Sequence, residues 1–430
     1  MVRPDALTAP YDASVHLKSD LRSSASWYLG ILAAGVVLER YSNYLWFESP
    51  VVFGQPANVL TAFMYFFAAT AAWLMLGSRP RAQGWLFAFL ALMSVAWFVH
   101  LVLYRYHGDA FNYTALLYVP ILILIWWKPP TKDEAWAAIS VFAWTVSIVL
   151  VGTRALESLG LLAVRSQSDG VVAFDTERYF LPLNAFLGID GRWPGPFGHN
   201  GDTAMMGALL IVIAAARWRR PSWVFLTVGV LTLLLTSGRA SIGAAAAGLL
   251  IIFMFRAGVF LRMARLVRIP IGLLGLGLGA WVLINRPAGL TGRNTIWPAF
   301  FELWQESPWI GVGSAGINQG NEWTILFQHA HNMYLNDLTR EGLLGAGIQY
   351  AAVALGVVIA ARVAWWGMPG ALAVISTYLI TGITEPRNPW IAPSATGFLF
   401  ILMVVYASRI MGLGSEPAPV EKTATYERLR

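Results

Sequence analysis

The chain contains no cysteine, and only 12% of its 430 residues are charged. The absence of cysteine excludes disulfide bonds, thiol catalysis and cysteine-ligated metal sites, and it leaves the redox compartment undetermined. Soluble domains carry about 25% charged residues, so the low charge excludes water as the main solvent of this protein. Hydrophobic residues make up 57% of the chain, which indicates an integral membrane protein.

The net charge of +7 does not indicate a nucleic-acid-binding protein. The basic residues occur in short clusters between apolar runs and do not follow one soluble face. The 20 tryptophans and 15 tyrosines suit a protein with two lipid interfaces, although aromatic rings also line sugar sites. We therefore expect membrane lipids, and no nucleic acid, as partners.

The apolar runs predict an all-α integral membrane protein, because a spanning helix needs about 20 mostly apolar residues. Twelve runs are candidates, at about 26–46, 57–77, 84–104, 112–127, 135–153, 203–217, 221–237, 240–256, 269–285, 342–362, 368–385 and 393–411. The predicted polytopic domain is thus 26–411. We expect residues 1–25 to be a cytoplasmic segment without a cleavable signal peptide, and 412–430 to be a disordered cytoplasmic tail.

Lysines and arginines in the short loops predict the orientation, because basic loops stay on the cytoplasmic side. With a cytoplasmic amino terminus, all the short basic clusters fall inside: 78–84, 128–135, 217–220 and 256–268. The same parity places two long connections outside, at about 154–202 and 286–341. Connections of this length are candidates for function, and we expect the second to be partly helical.

The second outer connection contains the most informative histidine. Apolar residues at helical spacing follow Arg293 and predict an amphipathic helix on or near the membrane. His329 and His331 come after it, just before the next predicted span. His331 is either an interfacial histidine hydrogen-bonded to its loop or a general base, since a neutral imidazole accepts a proton near neutral pH.

Two further polar patches belong to the predicted outer face. The segment GRWPGPFGHNGDTA offers Arg192, His199 and Asn200 beside turn-forming glycines and prolines. The segment TSGRAS joins two predicted spans by a short turn, so Arg239 is held at the end of a helix pair. An arginine there either reaches lipid headgroups or binds an anionic ligand.

Arg239 and Arg293 together suggest a lipid diphosphate as ligand. A guanidinium is planar and permanently charged, which suits bidentate capture of phosphate oxygens. ATP and nucleotide sugars are absent outside the membrane, so group transfer there must use energy carried across on a lipid. The outer connections contain no DxD motif, so a metal-dependent mechanism is less favoured.

Residues 331–345, HNMYLNDLTREGLLG, resemble the signature of the O-antigen ligase family. That signature is His, then Asn, Ser or Gln, nine residues, Gly, two residues, then Gly, Thr or Tyr. It falls here on His331, Asn332, Gly342 and Gly345. The outer connection before the histidine and the turn at Arg239 also resemble the wider ligase and polymerase superfamily.

The resemblance implies a C-type membrane glycosyltransferase in a bacterial cytoplasmic (inner) membrane, with its active site on the periplasmic face. Such an enzyme moves a glycan from undecaprenyl diphosphate to a lipid or polysaccharide acceptor, for example lipid A core, with inversion and without metal or other cofactor. His331 would be the general base, and Arg239 and Arg293 would hold the diphosphate. Weaker pocket candidates are Arg192, His199, Asn200, Asn332 and His329.

Two alternatives remain at this point. A polymerase would join repeat units on the same carrier and would need the same diphosphate site and base. A secondary transporter also suits twelve spans, with Glu385 as the acid to consider, although an interfacial pair with Arg387 explains that residue too. Transporters place substrate groups near the bilayer midplane in repeated halves, and the chain has no half-to-half repeat.

Overall fold

The computed structural model describes residues 28–38, 70, 84–107, 118–161, 193, 195–197, 200–216, 222–236, 238–256, 293–327, 329–383 and 395–413. This part of the chain contains helices, turns and irregular segments, and no strand. In chain order, helices α1 to α13 are Tyr28–Leu38, Gly84–Tyr106, Tyr118–Trp127, Lys132–Ser158, Asn200–Ala216, Ser222–Thr236, Arg239–Arg256, Arg293–Glu306, Gly313–Gln319, Glu322–Phe327, Met333–Trp365, Gly370–Gly382 and Ala395–Leu413.

Three of the described helices, α2, α4 and α11, are long and apolar enough to cross a membrane. Shorter apolar helices are α1, α5, α6, α7, α12 and α13. Helices α1 to α7 and α11 to α13 each overlap one predicted span. The predicted spans at 57–77 and 269–285 lie outside the described residues, apart from Thr70. The all-helical fold is confirmed for the described residues, and the number of spans stays a prediction.

The start of α4 shows how local sequence sets a helix boundary. Thr131 is the N-cap, and its hydroxyl accepts from the Glu134 amide at 3.2 Å. In return the Glu134 carboxylate accepts from the Thr131 amide at 2.8 Å. This capping box satisfies two backbone donors that the first turn would otherwise leave unpaired, so α4 begins at Lys132, directly after the Thr131 cap.

Helix α5 lies at the centre of the described helices. Every one of its residues except Ala215 is buried, and it packs against α4, α6, α7 and α12. A helix that is apolar all round must be surrounded in this way. Small residues allow the close approach, since a Cβ at Gly207 would lie only 3.0 Å from the carbonyl oxygen of Gly229 on α6.

One end of the helix bundle, here named the His331 end, collects the last turns of α4, α6 and α12 and the first turns of α5, α7 and α11. The Trp193 amide donates to the Leu235 carbonyl near the end of α6 at 3.1 Å. The Tyr334 hydroxyl at the start of α11 donates to the Leu379 carbonyl near the end of α12 at 2.9 Å. Thr377 of α12 also contacts the Ala244 carbonyl of α7, at 3.2 Å.

The opposite end, here named the Arg409 end, collects the first turns of α4 and α12 and the last turns of α5 and α13. Arg409 near the end of α13 donates to the carbonyls of Pro129 and Pro130, both at 2.7 Å. A Cβ at Gly370, where α12 begins, would lie 3.0 Å from the Cβ of Ala216, where α5 ends. The helix termini assigned by sequence to the outer face therefore lie together, away from the Arg409 end.

Candidate active site

His331 has an unusual backbone conformation. Its φ is +48°, and it is the single non-glycine residue with positive φ among those the structure describes. Left-handed backbone is uncommon for residues with a Cβ, and it persists where the surroundings enforce it. The next residue, Asn332, caps α11 by accepting from the Leu335 amide at 3.0 Å. His331 is half-buried and directly precedes Asn332, the N-cap of α11.

His329 and His331 lie against each other. Their ring centroids are 4.2 Å apart and the ring planes are nearly perpendicular, at 83°. Ala330 between them is fully buried in a cluster with Ile296, Phe300, Leu303 and Ile317 of α8 and α9. The buried alanine fixes the loop in place, whereas both histidines are only half-buried. Spacing along the chain did not predict this contact, because the segment is neither helix nor strand.

Arg293 is the first residue of α8, so the predicted amphipathic helix is present at Arg293–Glu306. Ile296 and Phe300 follow Arg293 at three and seven residues, which places all three on one helix face. Ile296 and Phe300 are the residues that pack around Ala330. Arg293 is therefore at the start of the helix face that supports the histidine loop.

Arg239 begins α7 directly after a tight turn. Only two residues separate it from Thr236, the last residue of α6, and its side chain is exposed. Gly238, just before Arg239, packs closely against the first turns of α5, since a Cβ at this position would overlap the Cβ of Ala204. Asn200, which begins α5, is buried. Arg239 and Asn200 thus start neighbouring helices at the His331 end.

Arg192 and His199 lie outside the described residues, whereas Trp193, next to Arg192, is described. Trp193 is buried, and its indole N–H donates to the buried Glu157 carboxylate of α4 at 2.8 Å. Arg154 donates to the same carboxylate oxygen at 3.3 Å. Sequence reasoning missed Glu157, although an acid in an apolar spanning helix is a detectable signal.

The backbone geometry at position 342 explains why the signature has a glycine there. Its φ of 62° and ψ of −169° interrupt α11, in a region of backbone space that only glycine occupies readily. The connection between α8 and α9, residues 307–312, enters this break. The Leu343 amide donates to the Pro308 carbonyl at 2.8 Å, and the Leu344 amide donates to the Trp309 carbonyl at 2.9 Å. A Cβ at position 342 would overlap the Trp309–Ile310 backbone.

Gly345 leaves room for a buried carboxylate that the sequence analysis did not single out. A Cβ at Gly345 would overlap the side chain of Glu341 and press on Leu103 of α2. Glu341 Oε1 lies 2.7 Å from His100 Nδ1, and both residues are almost completely buried. The structure therefore gives Asn332, Gly342 and Gly345 roles in shaping α11. His331, the remaining signature position, lies at the edge of the fold with its ring against His329.

The match to known proteins falls on this region. A family model described as O-antigen ligase matches residues 197–350, from just before α5 into α11. The matched part contains Arg239, Arg293 and His331, and the family resemblance is confirmed. No curated protein matches the chain.

Proposed function

Starting from the O-antigen ligase family domain at residues 197–350, we propose that this chain is a glycosyltransferase acting at the outer face of a bacterial cytoplasmic membrane. The family assignment points to a transferase of ligase or polymerase type. The proposed donor is a glycan on undecaprenyl diphosphate, and the acceptor is a hydroxyl of a lipid or polysaccharide. Of the two types we favour the ligase, on the signature at residues 331–345.

The observation that carries the proposal is the placement of His331. It is the signature residue that does not shape α11, it is held in a left-handed conformation, and the cluster around Ala330 fixes its loop. A neutral imidazole held in this way suits a general base, because the base must stay within hydrogen-bond reach of one hydroxyl. Asn332 is committed to the α11 cap and is less suited to bind substrate.

Positively charged groups at the same end support a diphosphate ligand. Helices α5, α7 and α11 all begin at the His331 end, and helix N-termini carry partial positive charge. Arg239 adds a permanent charge at the start of α7, and Arg293 adds one at the start of α8. Guanidinium groups stabilise the charge that grows on a departing diphosphate.

The proposed step balances without an additional reactant. The acceptor hydroxyl gives its proton to a ring nitrogen of His331 as its oxygen bonds to the anomeric carbon of the donor sugar. The bond between that carbon and the diphosphate oxygen breaks, and the electron pair leaves with the diphosphate, beside Arg239 and Arg293. Attack from the face opposite the leaving group inverts the anomeric configuration.

Transfer by purified protein tests the proposal directly. The protein is incubated with a polyprenyl diphosphate-linked glycan, candidate acceptors and a chelator, and glycan on the acceptor is measured. We expect His331→Ala to lower kcat about 10² to 10⁴-fold, the usual contribution of general-base catalysis. His16→Ala, in the predicted cytoplasmic segment, is the matched histidine control and should transfer normally.

The same assay distinguishes a ligase from a polymerase. A ligase adds one intact glycan to a separate acceptor, whereas a polymerase lengthens the glycan on the carrier itself. If the His331→Ala protein transfers glycan at the parental rate, the base assignment is wrong. A parent protein that produces neither product with any donor contradicts the proposed activity.

A further inference from the structure

Glu341 ends the short helical segment, residues 333–341, that starts beside His331. Its side chain is only 1% exposed, and both of its oxygens have donors. Oε1 lies 2.7 Å from Nδ1 of His100 on α2, and Oε2 accepts from the amide of Gln349, two turns further along α11. A buried carboxylate is costly unless it is paired in this way, so the contact is strongly specified.

Three contacts with this region come from one face of α2 and from His107, the residue directly after it. His100, Leu103 and His107 follow one another at spacings of three and four residues, so they line up along α2. Leu103 lies against Gly345 of α11, and His107 Nε2 lies 3.0 Å from the Ile310 carbonyl. His100 therefore contacts Glu341 before the break, Leu103 contacts Gly345 after it, and His107 contacts the inserted connection at Ile310.

We propose that the buried His100–Glu341 pair is the positioning element that fixes the direction of segment 333–341, and with it the place of His331. This inference rests on the proposed function, because it takes His331 as the reacting histidine. The pair does not touch substrate, since both side chains are almost completely buried. It acts on the reaction through the backbone that connects Glu341 to His331.

The break at Gly342 is the reason that such an anchor is needed. An unbroken α-helix would set the direction of residues 333–341 from the long span that follows. At Gly342 this continuity is lost, and glycine permits more backbone conformations than any other residue. The Tyr334 hydroxyl bond to Leu379 holds the start of the short segment, and Glu341, the last residue before the break, holds its other end through His100.

Replacing His100 by phenylalanine tests the proposal, because this change removes the hydrogen bond to Glu341 and keeps an aromatic ring at position 100. His100→Phe cannot donate to Glu341. We expect it to lower kcat for glycan transfer about tenfold or more and to change KM for the donor less than about threefold, because small displacements of a reacting group reduce the rate strongly. Ser94→Ala is the matched control, since it removes a hydrogen bond to Leu90 within α2. It should transfer like the parent protein.

A conservative replacement separates positioning from proton chemistry. His100→Gln keeps an N–H donor for the carboxylate but cannot titrate, so we expect it to restore kcat to within about threefold of the parent. If His100→Phe retains parental kcat, or if folded His100→Gln is as slow as His100→Phe, the proposal is wrong. Where His100→Phe does not fold, His100→Gln decides alone, and a loss of its kcat overturns the proposal.

A readout without substrate keeps this inference distinct from the proposed function. Amide hydrogen exchange is measured on peptides covering residues 333–345 in each variant. We expect faster exchange in His100→Phe and parental exchange in His100→Gln, even if His331→Ala turns out to be fully active. Parental exchange in His100→Phe contradicts the proposed anchor whatever the protein catalyses.

Discussion

The two ends of the bundle use polar side chains in different ways. At the Arg409 end, Arg409 and the Thr131–Glu134 capping box donate to or accept from backbone groups close to helix termini. At the His331 end, backbone-directed contacts such as the Asn332 cap also occur, but Glu157 and Glu341 are in addition buried carboxylates that accept from side chains of other segments, Trp193 and His100. A buried pair of side chains from different segments needs both partners in place, so it restricts the geometry of the His331 end more closely than a contact to a backbone carbonyl does.

The largest expected effect comes from replacing Gly342 with alanine. The Cβ would meet the Trp309–Ile310 backbone and would force a side chain into a glycine-only conformation. We expect the free energy of unfolding to fall by about 2–4 kcal/mol and glycan transfer to be lost. Gly347→Ala, where nothing lies within 4 Å, should be neutral or stabilising by up to about 1 kcal/mol. Denaturant unfolding in detergent measures both; equal effects at the two positions would contradict the assignment.

Arginine-to-lysine changes at the two ends should have opposite consequences. Arg239→Lys keeps the charge but loses the planar donor pair, so we expect transfer to slow about tenfold or more with little change in stability. Arg409→Lys loses the two separate donors, Nε and Nη2, that reach the two carbonyls, which should lower the free energy of unfolding by about 1–2 kcal/mol and leave transfer unchanged. Kinetics and unfolding are measured on both proteins. Parental transfer by Arg239→Lys would remove that residue from the proposed diphosphate site.

Trp193→Phe should affect stability and have less effect on transfer than Arg239→Lys. It removes the indole donor from buried Glu157 while the Arg154 contact remains. We expect the free energy of unfolding to fall by about 1–3 kcal/mol, the usual cost of leaving a buried acceptor short of a donor. Trp366→Phe, at a half-exposed position after α11, should stay within about 0.5 kcal/mol of the parent. Similar losses for the two variants would mean that the Glu157 contact contributes little.

Thr131→Ala should have the smallest effect of the series. Loss of the α4 cap should lower the free energy of unfolding by about 1 kcal/mol, and Thr131→Ser should recover most of it. Glycan transfer should remain parental in both variants, because the cap belongs to the Arg409 end. A clear loss of transfer would contradict the division of roles between the two ends.

The helical architecture was largely predictable because each span is encoded locally. An apolar run of suitable length indicates a helix without knowledge of its neighbours, as the overlap of α2, α4 and α11 with predicted spans illustrates. The helix beginning at Arg293 was predictable from its apolar spacing in the same way. The signature also singled out His331, because that pattern of residues lies within fifteen consecutive positions.

The partners of the site residues were not predictable from spacing. His100 and Glu341 are 241 positions apart, and nothing local to either residue indicates that they meet. The contact between His329 and His331 depends on a loop conformation that neither helical nor strand periodicity describes. Of the weaker pocket candidates, Asn332 proved to be a helix cap, a role that requires knowing that α11 begins at Met333.

The helical class, the positions of most described helices and the choice of His331 as the residue to test could all be read from local hydropathy and one short motif. The entry of the connection at 307–312 into the break at Gly342, and the contacts of α2 with residues around that break, could be seen only in the packed fold. Such contacts arise when helices distant in sequence pack together, because buried donors and acceptors must then find partners on one another.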